Sequence, residues 1–128
     1  MNYLADTHAF LWFCQDDPQL GAVAKLIFED PANRIFLSIA SCWEISIKTG
    51  IGKLHLGEPS AVYIPSALAR VRFNLLPISL DHATFVETLP HHHRDPFDRM
   101  IVAQSLLELI PVISIDTQLD PYGIQRIW

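Results

Sequence analysis

Apolar residues change their spacing repeatedly along the chain, and the changes mark alternating elements. "NYLA" (2–5) is a short apolar run that stops at Asp6, and "AFLWFC" (9–14) continues as an apolar helical turn. In "DDPQLGAVAKLIFED" (16–30), Leu20, Val23, Ile27 and Phe28 recur at helical spacing, with Pro18 near the expected first position. "NRIFLSI" (33–39) is rich in β-branched and aromatic residues and predicts a strand. "SCWEISIKTGIG" (41–52) opens on a candidate Ser cap and closes on Gly, which predicts a helix. A helix is also predicted over 59–72, with Pro65 kinking or splitting it. "NLLPIS" predicts a strand, "SLDHATFVETL" a helix capped by Ser79, and a further helix runs to about Leu109. "PVISID" and "GIQRIW" predict two last short strands.

Strands alternating with helices imply an α/β fold, a mainly parallel sheet with helices on both faces. The chain of 128 residues is the size of one domain, taken here as 1–128, and half its residues are hydrophobic, enough for a core without disulfides. Its two cysteines, Cys14 and Cys42, form neither a disulfide framework nor a zinc pattern and point to a reducing compartment. The N-terminus "MNYLADTH" lacks the basic start of a signal peptide, and no apolar run approaches the ~20 residues of a membrane span. A cytoplasmic protein without a membrane partner is expected. The net charge of −5 argues against nucleic acid unless the acids gather around a cation.

In parallel sheets, ligands bind beyond the carboxyl ends of the strands. Asp6 ends the first strand and Asp116 follows the late strand. Glu44 is expected in the first turn or so of the helix after the second strand, and Asp98 in the first turn of its own helix. Four carboxylates from distant segments can thus meet at one edge. Like charges so placed raise one another's pKa unless a cation intervenes. Oxygen-only donors suit Mg²⁺ or Mn²⁺, and such a cation can activate water for phosphodiester hydrolysis.

Plainer readings exist for each acid. Asp95–Pro96 with Asp98 three residues after Asp95 is a well-formed helix start. Asp6 can cap the helix after it, with Thr7 assisting. Glu44 and Lys48 are spaced as an ion pair, and Asp116 can begin a turn. The run His91, His92, His93 is a poor metal site, because consecutive residues point apart. It reads as a polar loop beside the acids. Lys48, Lys53, Arg94 and Arg99 can form a basic rim for RNA, with Lys48 and Arg99 the chief candidates. Lys53 reads rather as solvated or paired. The helix at 61–73 serves either the core or a partner groove, and Trp128 is expected to pack.

"LADTHAFLW", "SCWEISIK", "HHRDPFDRMIVAQS" and "ISIDTQLDPYGI", in this order across nearly the whole chain, resemble the PIN-domain ribonucleases. The resemblance is to the VapC-type toxins of bacterial type II toxin–antitoxin systems in particular. It implies a three-layer α/β/α sandwich and an Mg²⁺- or Mn²⁺-dependent endoribonuclease leaving 5′-phosphate and 3′-hydroxyl ends. By position, Asp6, Glu44 and Asp98 match the family's acids, Asp116 its more variable fourth acid, and Ser114 a hydroxyl near the site. A cognate antitoxin and a homodimer are also implied.

Other readings of the same residues are a different carboxylate-metal phosphohydrolase and a non-enzymatic binding module. An aspartyl phosphatase would need a second Asp two residues after Asp6, where His8 stands. Covalent catalysis by Ser41 or Cys42 lacks a base in sequence.

Overall fold

The computed structural model describes residues 1–128. Five strands form one sheet: β1 (Asn2–Ala5), β2 (Arg34–Ser38), β3 (Asn74–Leu76), β4 (Val112–Ile113) and β5 (Arg126–Ile127). The order is β3-β2-β1-β4-β5, and every pairing is parallel. β1 leads through β2 to β3 on one side, whereas β4 and β5 lie on the other. The order therefore reverses between β1 and β4, and a crevice opens at their carboxyl ends.

Side chains alternate across this sheet and are buried on both faces. Tyr3, Ala5, Ile35, Leu37 and Ile113 enter one core with Phe10, Phe28, Ile45, Leu68 and Phe73. Leu4 and Val112 enter the other, with Ile101, Val102, Leu119 and Tyr122. The period of two explains why the strands read as continuous apolar runs: each face needs its own hydrophobic set. The first face is covered by α1 (Thr7–Cys14), α2 (Ala22–Glu29), α3 (Ile39–Gly50) and α4 (Ser60–Val71), and the second by α5 (Leu80–Phe85) and α6 (Pro96–Glu108). The expected three-layer sandwich is the fold observed.

Several boundaries differ from the sequence pattern. Pro18 lies in a turn ahead of α2, where Asp17 accepts from Gln19 N–H at 2.9 Å, and α2 starts after Gly21. A Cβ at Gly21 would lie 2.9 Å from Trp128 Nε1, so glycine there lets the terminal indole pack on the chain. The cap of α3 is Ser38, which accepts from Ala40 N–H; Ser41 is internal and buried. Glu44 therefore sits a turn deeper in its helix than its distance from a Ser41 cap implied. Pro65 does not split α4, which runs unbroken with Ile64, Ala67 and Leu68 in the core. One face of the apolar 61–73 stretch, Ile64, Ala67, Leu68 and Phe73, is thus core, and the other is exposed.

Candidate metal and nuclease site

Each acid is held at the crevice by a local backbone device. Asp6 follows β1 and caps α1, accepting from Ala9 N–H at 2.8 Å. Asp116 follows β4 and caps a 3₁₀ turn, Thr117–Tyr122, accepting from Gln118 N–H at 2.9 Å. Asp95 caps α6, accepting from Phe97 and Asp98 N–H with Pro96 at the first position, and this puts Asp98 in the first turn. The Ser114 hydroxyl bonds the Asp6 carboxylate and accepts from Asp116 N–H at 3.0 Å, so it ties the ends of β1 and β4 together.

The acids meet. Burial pushes the Asp98 carboxyl up to about 7, with Asp95, Glu44 and Asp6 adding like-charge repulsion and His93 opposing it. Asp6 is also raised, first by burial and further by Asp116, against the Ser114 and Ala9 hydrogen bonds and the His8 charge. Asp98 has one side-chain partner, His93 Nε2 at 3.3 Å from Oδ2. These carboxyls are short of positive charge, and their oxygen donors fit a hard divalent cation.

Glu44 is further committed. Thr7 Oγ1 lies 2.6 Å from its Oε1 and Lys48 Nζ 2.6 Å from its Oε2. Thr7 Oγ1 is also 2.9 Å from Ser41 Oγ. The single Thr7 proton goes to the carboxylate, the stronger acceptor. The Lys48 ammonium is held charged chiefly by its hydrogen bond to Glu44, with Asp95 and Asp98 adding attraction. The expected helix-surface pair is therefore the inner wall of an acidic site, with the glutamate buried and the lysine half-open.

One imidazole enters this cluster. Atoms of His93, Asp98 and Asp116 lie within 4.8 Å of one another, a spacing that suits metal ligation. His93 Nδ1 accepts from Asp95 N–H at 3.1 Å, so in the neutral ring the proton sits on Nε2. Nε2–H then points at Asp116 Oδ2, 2.8 Å away. That nitrogen has no lone pair for a cation in this arrangement. His93 is a donor that orients carboxylates, whereas His91 and His92 are exposed on the loop.

Arg99 departs from the expected RNA rim. It is buried, and it donates to Pro90 O at 2.7 Å, Val86 O at 3.2 Å, Leu89 O at 3.3 Å and Tyr122 Oη at 3.2 Å. A guanidinium filled by carbonyls holds the chain before α6 and does not reach solvent. Tyr122 Oη also accepts from His92 and His93 N–H, at 3.1 and 2.9 Å. Arg99 and Tyr122 thus form a post under the histidine loop. Thr7, His93 and Tyr122 were absent from the sequence-predicted site. The sequence had offered Thr7 only as a helper at the Asp6 cap and the histidine run only as a polar loop beside the acids, and nothing local pointed to Tyr122.

A parallel α/β sheet with carboxylates gathered at its switch point defines the class, and comparison with known proteins agrees. A profile of the PIN domain matches residues 3–124, and the chain belongs to the PIN-domain family. Over 70 residues it is 44% identical to ribonuclease VapC16 of Mycobacterium tuberculosis. That stretch is 52% of this chain and 48% of the relative, so the chain spans about half the length of the curated relative it matches. Among solved structures, the fold resembles VapBC2 of Rickettsia felis bound to a promoter DNA fragment, with TM-score 0.73 at 14% identity over 99% of this chain and 98% of that one. It also resembles VapBC-1 of nontypeable Haemophilus influenzae, with TM-score 0.66 at 19% identity over 99% and 97%. FitAcB of Neisseria gonorrhoeae superposes with TM-score 0.64 at 20% identity over 98% and 96%.

Proposed function

We propose that the protein is a divalent-metal-dependent endoribonuclease, the toxin of a type II toxin–antitoxin pair. The observation that carries this reading is the meeting of Asp6, Asp98 and Asp116 at the β1/β4 crevice, with Asp98 held protonated to about pH 7 by burial and its acidic neighbours. Asp6 and Asp98 are the carboxylates that would hold Mg²⁺ or Mn²⁺, with Asp116 and Glu44 completing the acidic wall. When bound, the cation supplies Lewis acidity and a more acidic water. In hydrolysis the water oxygen bonds phosphorus and the bond from phosphorus to O3′ breaks, leaving a 5′-phosphate and a 3′-hydroxyl. Glu44, held in place by Thr7 and Lys48, is positioned to take the water's proton. Lys48 adds a fixed positive charge beside the phosphate, the part of the expected RNA contact that Arg99 does not supply. No covalent nucleophile of the protein is needed.

The family and its ribonuclease relative support this reading, and the toxin–antitoxin complexes among the structural neighbours support an antitoxin partner. A homodimer is supported by α3 and its C-cap, where Ile39, Trp43, Ile47 and the cap residue Ile51 recur every four residues, all exposed. No helix is long and apolar enough to cross a membrane, and the two free cysteines suit a cytoplasmic setting.

The test is cleavage of a mixed RNA pool by antitoxin-free protein with Mn²⁺, with chelator, and with Asp98→Asn. Discrete 5′-phosphorylated products that need both the metal and Asp98 are expected. Absent cleavage together with absent Mn²⁺ binding would return the acids to capping roles. Release of phosphate from small phosphomonoesters, with RNA left intact, would favour a different phosphohydrolase.

A further inference from the structure

Beside the acids, on the α1/α3 side, lies a second recess of about 330 Å³ with the opposite electrostatic character. None of its nine lining residues is acidic, whereas two are lysines, in a protein whose net charge is −5. Leu11 and Ile45 give it an apolar floor, and Trp12 and His8 form an aromatic wall. The two rings lie 5.5 Å apart, and Trp128 meets Trp12 edge-on at 5.8 Å, so the indole is braced from behind. Lys48 and Lys53 complete the lining. Lys53 is exposed and belongs to none of the carboxylate ion pairs, in contrast to Lys25, Lys48 and Arg126. The solvated or paired charge expected from sequence is solvated, and it faces this recess.

We propose that this recess is a nucleotide subsite of the nuclease, in which a base of single-stranded RNA packs on Trp12 while its phosphate meets Lys53 and Lys48. The inference rests on the ribonuclease reading and extends it. Continuity carries it: Thr7 and Lys48 line the recess, and both bond the Glu44 carboxylate from within the acidic wall. A chain whose scissile phosphate lies at Asp6 and Asp98 therefore delivers its neighbouring nucleotide to this side. A flat ring over an apolar floor takes any base, and ammonium groups at the rim take phosphate, the usual composition of single-strand binding surfaces. The acid-free lining repels no phosphate, unlike the crevice itself.

The probe is 5′-AMP, with adenosine and inorganic phosphate as controls. It is titrated into metal-free protein in chelator while the indole N–H signals of Trp12, Trp43 and Trp128 are followed by NMR. We expect 5′-AMP to move Trp12 and leave Trp43 in place, and adenosine to bind more weakly. Lys53→Ala, at an exposed position, should weaken 5′-AMP by about tenfold without altering Mn²⁺ affinity, and Trp12→Leu by a similar factor. With metal present, Lys53→Ala should raise KM for a short single-stranded RNA. An unmoved Trp12, or equal 5′-AMP affinity in wild type and Lys53→Ala, overturns the subsite. If Trp12 responds to a co-expressed antitoxin and to neither 5′-AMP nor short RNA, the recess belongs to a protein partner and the proposal falls. A protein that binds 5′-AMP through Lys53 yet cuts no RNA keeps the subsite and removes the nuclease reading.

Discussion

Asp98 is the residue whose surroundings differ most from what its sequence neighbours imply. "DPFDR" reads locally as a capped helix start, and the cap is present. What the local reading omits is that Asp6 and Glu44 also reach this carboxyl. Its proton is kept to about pH 7, against 3.8 for an ordinary aspartate. Between those values the folded state binds more protons than the unfolded one, so this group's contribution is complete at low pH and is lost as pH rises through 7. Metal-free protein should therefore melt at progressively lower temperature from about pH 4 to pH 8 through this group, and Asp98→Asn should flatten that slope. At pH 8 the substitution should stabilise the metal-free fold by about 1–3 kcal/mol, read by thermal melting in chelator. Mn²⁺ should raise the wild-type melting temperature more at pH 8 than at pH 5, and should raise it little in Asp98→Asn. Lys48→Ala has the opposite sign: it leaves buried Glu44 without its cation and should cost about 1–3 kcal/mol, measured by denaturant melts at neutral pH.

At the scale of elements, the loop before α6 shows how packing sets a side chain. His93 is aimed at Asp116 because Tyr122 holds the His92 and His93 amides and Arg99 holds both Tyr122 and Pro90 O. Tyr122→Phe removes the shared acceptor and leaves a buried guanidinium N–H and two amides short of partners. It should destabilise by about 1–3 kcal/mol and weaken Mn²⁺ binding severalfold, as measured by calorimetry, while far-UV dichroism stays unchanged. Full retention of Mn²⁺ affinity would show that the loop does not orient the acids. Arg99 was misread from sequence for a physical reason. An arginine beside an acid on a helix looks the same whether its guanidinium turns outward or into a ring of carbonyls, and helical phase alone does not distinguish those outcomes.

The whole molecule adds the surface. Ile39, Trp43, Ile47 and Ile51 form an exposed apolar line along α3, the helix that also carries Glu44 and Lys48. If two copies meet there, the dimer braces the acidic wall. Ile47→Glu should convert a dimer to monomer in sedimentation velocity at micromolar concentration, without lowering the monomer's helix content. A wild type that sediments as a monomer would remove the α3 interface.

The element sequence, the parallel sheet and the four acids were legible in the chain, because strand periodicity, the Asp95–Pro96 cap and acids at strand ends are local signals. The family segments added the expected partners and chemistry. Local sequence did not determine what lies across the crevice from what. The Ser114 bond to Asp6, the Thr7 bond to Glu44, the aim of His93 at Asp116 and the inward turn of Arg99 onto Tyr122 each join residues far apart in the chain. So does the cationic recess beside the acids. Such contacts depend on the order β3-β2-β1-β4-β5, which brings β1 beside β4 across more than 100 residues of intervening chain. Sequence supplied the charged groups, and the closing of the sheet decided which of them compensate one another.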